Sequence, residues 1–223
     1  MSTVFVIGAA GKVGRALSHQ LATRGHRVTA LHRDPRQADT LREPGVIPVH
    51  GDLVQLDPSA LATLMDGSEV VVFTAGAGGK GGEATTRAVD GQGLRTAVEA
   101  ARQAKVPRLL LVSAFPEAGR GAHVSDTFET YMAVKKAADV HLASSELDWV
   151  ILRPGTLTDD PGQGRVTAGP AITYGSIGRE DVAATLVALV ERPTIQRVVI
   201  ELTQGQTPIS EALAAYESVD DRP

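Results

Sequence analysis

The 223-residue sequence contains no cysteine. That absence excludes a disulfide scaffold, a cysteine nucleophile and thiolate zinc sites. It also lacks any basic run, and acids outnumber bases 26 to 22 for a formal charge of −4. This balance argues against a dedicated nucleic-acid binder. No apolar stretch approaches the roughly 18–20 residues that a spanning helix needs, so no membrane association is expected. Met1-Ser2-Thr3 leads into an apolar run without a basic n-region, which predicts no signal peptide and a cytoplasmic protein. The six histidines, at 19, 26, 32, 50, 123 and 141, form no i, i+4 pair and no H-E-x-x-H. They read as surface or core residues, and no metal site is expected. Asp159-Asp160 before Pro161 reads as a solvated turn. There is no G-x-S-x-G elbow to support a hydrolase.

What is present is an alternation. Short β-branched runs at Thr3–Ile7, Arg27–His32, Val46–Val49, Glu69–Phe73, Arg108–Ser113 and Trp149–Arg153 are nearly continuous in apolar residues, as strands covered on both faces should be. Helical patterns separate them at Gly11–Arg24, Pro35–Arg42, Ser59–Met65, Glu83–Ala104 and Thr127–Ser145. This spacing predicts right-handed βαβ crossovers and an α/β fold with a doubly wound parallel sheet. The last third changes rhythm. Pro154–Gly178, rich in Gly, Pro and Thr, reads as loop with one short strand at Arg165–Thr167. A helix follows at Arg179–Glu191, a strand at Arg197–Leu202 and a final helix after Pro208. No repeat or long linker divides the chain, so residues 1–223 are expected to form one domain, with 154–223 contributing a small loop-rich cap.

Gly8-Ala9-Ala10-Gly11-Lys12-Val13-Gly14 sits between the first strand and the first helix. In this G-x-x-G-x-x-G spacing Gly8 permits a tight turn, Gly11 lets backbone approach a pyrophosphate, and Gly14 lets helix and strand pack closely. The helix N-terminus then offers free N–H groups to the anion. A P-loop does not fit, because Val13 follows Lys12 and Gly81 follows Gly79-Lys80 where Ser or Thr is required. The second strand ends Leu31-His32-Arg33, with Arg33 standing 25 residues beyond Gly8, where an NAD site places an acid. A guanidinium there attracts a 2′-phosphate, and Lys12 adds a second cation, so NADP is the expected cofactor. Asp34, one place further on, keeps NAD open.

On the Thr127–Ser145 helix, Phe128, Tyr131, Lys135, Ala138 and Leu142 recur at spacings of three and four, which puts Lys135 in the middle of the inward stripe. A lysine there is costly unless its ammonium meets a partner. Tyr131 lies one turn away on the same face.

Taken together, these features resemble the atypical short-chain dehydrogenase/reductase superfamily. The residues that carry the likeness are the glycine loop, Gly51-Asp52-Leu53, Thr74-Ala75-Gly76, Val112-Ser113, Tyr131-x-x-x-Lys135, Arg153-Pro154-Gly155, Arg179–Ala183, Leu202-Thr203 and Thr207-Pro208-Ile209. The chain is most similar to small bacterial NAD(P)H-binding members of the epimerase/dehydratase-like and biliverdin/flavin reductase types. The resemblance implies a Rossmann sheet of about seven parallel strands. It implies that Asp52 and Leu53 contact adenine, that Ala75 and Gly76 lie near the adenosine ribose, and that Pro154 and Gly155 lie against the nicotinamide. It also implies that Lys135 holds the nicotinamide ribose and lowers the Tyr131 pKa, that Tyr131 exchanges a proton with the reacting carbonyl oxygen, and that Ser113 polarises that carbonyl. Ser113 stands alone where two hydroxyl residues often occur, so Ala114 competes for that position. A polar residue near Asp90 helps order the site in related proteins.

The expected activity is an NAD(P)H-dependent oxidoreductase acting on a small carbonyl, quinone or flavin-like molecule. A non-catalytic NADP-binding redox sensor is the alternative. A sugar-nucleotide epimerase or dehydratase ranks lower, because about 25 residues between Pro154 and Arg179 leave little room for a sugar-nucleotide cradle. The substrate pocket is expected from Phe115–Phe128, Leu157–Tyr174 and a glycine-rich lid at Gly76–Gly82, with Phe115, Phe128, Leu157 and Tyr174 favouring an apolar, planar molecule.

Overall fold

The computed structural model describes residues 1–78, 81–116, 118–119 and 125–217. The first strand, β1 (Thr3–Ile7), shows how the sequence builds the layers. Val4 and Val6 are fully buried in one apolar cluster, while Phe5 and Ile7 belong to another. Successive side chains point to opposite faces, so a strand that is apolar at every position needs a helical layer on each side.

Those layers follow in chain order: α1 (Lys12–Thr23), β2 (Arg27–His32), α2 (Ala38–Leu41), β3 (Val46–His50), α3 (Pro58–Met65), β4 (Val70–Phe73), α4 (Gly82–Thr86), α5 (Gly93–Gln103), β5 (Arg108–Val112), α6 (Asp126–Ala143) and β6 (Asp148–Pro154). The C-terminal part adds β7 (Thr156–Thr158), β8 (Arg165–Gly169), β9 (Ser176–Gly178), α7 (Arg179–Val190), β10 (Val198–Gln204), β11 (Thr207–Pro208) and α8 (Ile209–Ala214). Seven strands run parallel in the order β3-β2-β1-β4-β5-β6-β10. Leu17 and Leu21 of α1 and Val182 to Val190 of α7 pack on the face of Val4 and Val6. Leu61, Leu94, Ala138 and Leu142, from α3, α5 and α6, pack on the face of Phe5 and Ile7. The order reverses between β1 and β4, and the carboxyl ends of these two strands open a crevice there.

The parallel core agrees with the expected seven strands and with the Rossmann reading. Two antiparallel additions, β8 against β10 and β11 against β8, widen the sheet to nine strands. In the 154–178 segment the strand expected at Arg165–Thr167 is the start of β8, but two further strands, β7 and β9, were not expected and pair with each other in a second small sheet. These strands are short and rich in Thr and Gly, and their burial alternates or is mixed along their length. They lack the apolar run that betrays a buried strand, and their hydrogen-bond partners lie far away in sequence. The 83–104 helix also differs, since a π-helical stretch at Arg87–Gln92 joins α4 to α5. Single π turns often mark functional sites, and this one carries the buried Asp90.

Arg108, at the start of β5, is buried. Its guanidinium donates to the carbonyl oxygens of Leu189 at 3.2 Å and Ile195 at 2.7 Å, closing the C-terminal end of α7 where a positive charge is favoured. Among the described residues no helix is long and apolar enough to cross a membrane.

Candidate active site

The glycine loop is built against β4. Gly8 has φ +85°, and a Cβ on it would stand 2.5 Å from the Ala75 nitrogen. Gly14 is equally tight, because a Cβ there would lie 2.3 Å from the Gly8 carbonyl oxygen. These two positions therefore require glycine, one for the turn and one for the approach of α1 to β1. Gly11 is the N-cap of α1 and supplies no capping side chain, so the first N–H groups of the helix face the crevice free for an anion.

The crevice is a groove of about 520 Å³. Gly8, Ala10, Gly11, Arg33, Asp52, Leu53, Ala75 and Gly76 meet along its walls, eight of the residues expected to hold a dinucleotide. Val13 and Gly14 lie buried behind it and shape the loop. Lys12 turns away and pairs with Asp159, which also takes the Arg179 guanidinium at 2.6 Å. The Lys12 ammonium, with Arg179, holds the Asp159 carboxyl below the usual range, so the expected solvated turn is tied down by two cations. Leu31, His32, Gln37, Val54, Thr85 and Val89 also line the groove. His32, expected to be a structural histidine, lines the groove, and its position just before Arg33 at the same strand end is the signal for it.

Arg33 is exposed at the groove wall, and its guanidinium makes no hydrogen bond or ion pair with the described residues. Asp34 is committed elsewhere. Its carboxylate accepts from the Arg36 backbone N–H at 3.0 Å and from the Arg36 guanidinium at 2.5 Å, and Arg36 pulls its pKa down to about 2. Asp34 does not line the groove.

Next to the groove, α6 brings in the second constellation. Ser125 caps the helix, its Oγ accepting from the Phe128 N–H at 3.3 Å. Lys135 is 4% exposed. Its Nζ donates to the Val112 carbonyl at 2.9 Å and meets Asp90 Oδ1 at 3.4 Å. The other Asp90 oxygen accepts from the Ala77 N–H at 2.9 Å. Asp90 thus ties the groove wall at Gly76-Ala77 to Lys135. Tyr131, one turn earlier, is pushed up to about 12 by burial, with the carboxylates of Asp90 and Asp139 adding to the rise. The resemblance implied a tyrosine lowered by its lysine. Here Asp90 neutralises the ammonium, and desolvation dominates.

Ser113 follows β5, with its N–H donating to the Leu152 carbonyl at 2.7 Å. Its hydroxyl is buried and without a hydrogen-bond partner among the described residues. Asp139 also went unnoticed in the sequence. It is buried, and its Oδ2 accepts from Arg153 Nε at 2.9 Å. Pro154 ends β6 and Gly155 follows it, both outside the groove lining. A Cβ on Gly155 would lie 2.1 Å from the Gly175 carbonyl oxygen, so this glycine joins β6 to the cap. There the Tyr174 hydroxyl meets Thr156 Oγ1 at 2.6 Å, and the Tyr174 ring packs edge-on to Phe115 at 5.3 Å. Gly79-Lys80 of the expected lid, and residues 117 and 120–124 of the expected pocket wall with His123, lie outside the described residues.

A glycine-loop groove at the switch point of a parallel sheet, beside a Tyr-x-x-x-Lys helix, defines a Rossmann dinucleotide-binding protein of the short-chain dehydrogenase/reductase type. Residues 8–193 match the family model described as NAD(P)H-binding, and the chain belongs to that family. It is 35% identical, over 94% of its own length and 98% of the relative's, to a Bacillus subtilis protein described as an uncharacterized sugar epimerase. The solved structure of an oxidoreductase from Lactococcus lactis superposes with a TM-score of 0.86 at 28% identity, covering 99% of this chain and 100% of that one. A short-chain dehydrogenase/reductase from Veillonella parvula, solved in complex with NADP, shares the fold at a TM-score of 0.73 and 18% identity, with 92% of this chain and 96% of that one covered.

Proposed function

We propose that the protein is an NADP-dependent reductase that reduces a small carbonyl, quinone or flavin-like acceptor. The observation that carries this reading is the buried Lys135 ammonium, one turn from Tyr131, held by Val112 and Asp90 beside the groove. Burying a charge this way is costly, and the pair serves a reaction better than it serves packing. Arg33, without a partner among the described residues at the groove wall while Asp34 is taken by Arg36, supports the 2′-phosphate form of the cofactor. The free N–H groups of α1 and the glycine walls fit a pyrophosphate.

Bound nicotinamide supplies hydride chemistry. The chain's own residues supply the proton and the orientation. With its pKa near 12, the Tyr131 hydroxyl is protonated at neutral pH and suits a donor to the acceptor oxygen as negative charge develops. Asp90 keeps the Lys135 ammonium in place, where, as the resemblance implies, it orients the nicotinamide ribose. This polarity favours reduction over oxidation, where Tyr131 would have to act as base.

Several relatives carry epimerase names. The 154–178 segment supports the smaller-substrate reading, because its backbone is pinned to α7 and, through the Ile172 N–H on Glu201, to β10. The N–H groups of Gln163 and Gly164 donate to Asp181 at 3.0 and 2.7 Å, and Gly155 packs on Gly175. The test is NADPH oxidation against panels of aldehydes, quinones and flavins, with Tyr131→Phe alongside. The expected result is turnover with at least one acceptor class and a loss of about 10²-fold or more in the variant, the scale of general acid catalysis. Tight NADPH binding without turnover on any panel would overturn the reductase reading and leave the sensor.

A further inference from the structure

The groove carries less positive charge than a 2′-phosphate brings. Among the described residues Arg33 is the only Lys or Arg along its walls, because Lys12 is paired with Asp159. A phosphate monoester holds about −1.5 to −2 charges at neutral pH, so one guanidinium leaves part of it uncompensated. The next polar side chain at the same strand end is His32, which is 4% exposed and lines the groove. Its Nδ1 lies 3.1 Å from the Asp34 carbonyl oxygen. A carbonyl can only accept, so Nδ1 carries the hydrogen and the neutral ring keeps a lone pair on Nε2. With Nδ1 engaged by the backbone, that lone pair is the polar group His32 has to offer the groove. His50, its register partner on β3, stands with its ring 5.7 Å away. It is exposed, does not line the groove, and donates from Nε2 to the Arg33 carbonyl at 3.1 Å. The two imidazoles therefore hold consecutive carbonyls of the segment that presents the Arg33 guanidinium.

We propose that His32 is a specificity-determining residue of the cofactor site: its Nε2 takes up a proton from solvent when a 2′-phosphate binds and donates it to that phosphate beside Arg33, as a charge-assisted hydrogen bond. No existing bond is lost, since the Nδ1 hydrogen stays on the Asp34 carbonyl while the new proton takes the Nε2 lone pair. A cofactor with a 2′-hydroxyl needs no such proton, because a hydroxyl can donate to the neutral nitrogen. An imidazolium enclosed this far requires a counterion, and the phosphate is one. The titratable and charged groups around the ring are Arg33 and Asp34, which follow it, His50 on β3, and Asp52 on the groove wall. Asp34 is taken by Arg36, and Asp52 Oδ1 accepts from the Val54 N–H at 3.0 Å. Arg33 is a like charge, and a dianionic group between them is what lets two cations share one strand end.

His32 has this role only where the groove holds NADP, so it rests on that part of the proposed function and not on turnover. The full chain is titrated by calorimetry with NADPH and with NADH at about pH 7, in two buffers of different ionisation enthalpy, and the difference in heat counts the protons exchanged. The expected result is a net uptake of about half a proton or more per NADPH, as an imidazole titrating near neutrality supplies, and none with NADH. The phosphate alone would move the count the other way, because nearby cations drive off its last proton. His32→Asn keeps an N–H where Nδ1 stood and has nothing to titrate. It should abolish the uptake and weaken NADPH by about 10-fold, while NADH stays within about threefold. His50→Gln keeps its N–H on the Arg33 carbonyl and should leave the uptake intact. In wild type, ¹⁵N-labelled histidine gives a reading without substitution, since the Nε2 resonance should move from the lone-pair to the protonated range with NADPH alone. An NADPH complex that takes up no proton, or an uptake that survives His32→Asn, overturns the proposal and leaves the groove a dinucleotide site. NADPH that fails to bind removes the NADP reading and the proposal together. Proton uptake in a protein inert towards every acceptor retains the proposal and removes the reductase.

Discussion

Replacing Arg33 with alanine removes a guanidinium that stands at the groove wall with no partner among the described residues. Because the group is exposed, water and salt screen it, and its contribution to phosphate binding falls at the modest end of the range for hydrogen bonds to charged groups, about 1.5–3 kcal/mol. That converts to a loss of roughly 10- to 100-fold in NADPH affinity. NADH lacks the 2′-phosphate and should change by less than about threefold, or 0.7 kcal/mol. The assay is nicotinamide fluorescence titrated with each cofactor at low and at about 0.3 M salt. The wild-type preference for NADPH should shrink as salt rises, since the Debye length falls towards a few ångströms, whereas the variant should show no preference to lose. Equal losses for both cofactors would refute the reasoning, because they would show Arg33 supporting the strand end and not reading the phosphate. An unchanged NADPH affinity would refute it more simply.

Two further predictions follow from the same geometry. Tyr131 is raised from 10.0 to about 12 in the fold, so its contribution to stability is present below pH 10 and is lost as pH rises towards 12, at a cost of roughly 2–3 kcal/mol. Tyr131→Phe should therefore resist alkaline unfolding better than wild type in this window, measured by circular dichroism, and equal alkaline midpoints would show that the phenol is not desolvated. Gly14→Ala pushes a methyl group to within 2.3 Å of the Gly8 carbonyl oxygen and 2.8 Å of the Ala9 Cα. Backbone on both sides cannot yield as a side chain would, so the variant should lose about 1–3 kcal/mol and bind both cofactors more weakly. Wild-type melting and binding in the variant would mean that α1 has room to move.

Much of the architecture was legible because it depends on local rules. Apolar runs of four to six residues separated by amphipathic stretches specify buried parallel strands with helical crossovers, and the seven parallel strands follow. The glycine loop was legible for the same reason, since a turn between strand and helix makes its own demands on φ and on Cβ. The Tyr131–Lys135 stripe could be read from helical periodicity alone.

Other features were decided in three dimensions. Strands β7 and β9 have no apolar signature, and they exist because each meets the other's hydrogen-bond donors and acceptors from a distant part of the chain. The partners of the site charges were equally hidden. Lys12 finds Asp159 at a separation of 147 residues, Lys135 finds Asp90 at 45, and Asp34 is diverted to Arg36. Whether Tyr131 is raised or lowered depends on those pairings and on burial, neither of which is a property of the tyrosine's neighbours in the chain. Local patterning therefore determined that the glycine loop and Arg33 stand at a dinucleotide groove, and the family resemblance added Asp52, Leu53, Ala75 and Gly76. Which of them are free, which are neutralised and which are desolvated was decided only by packing, because electrostatic energy depends on distance and dielectric in space and not on spacing along the sequence.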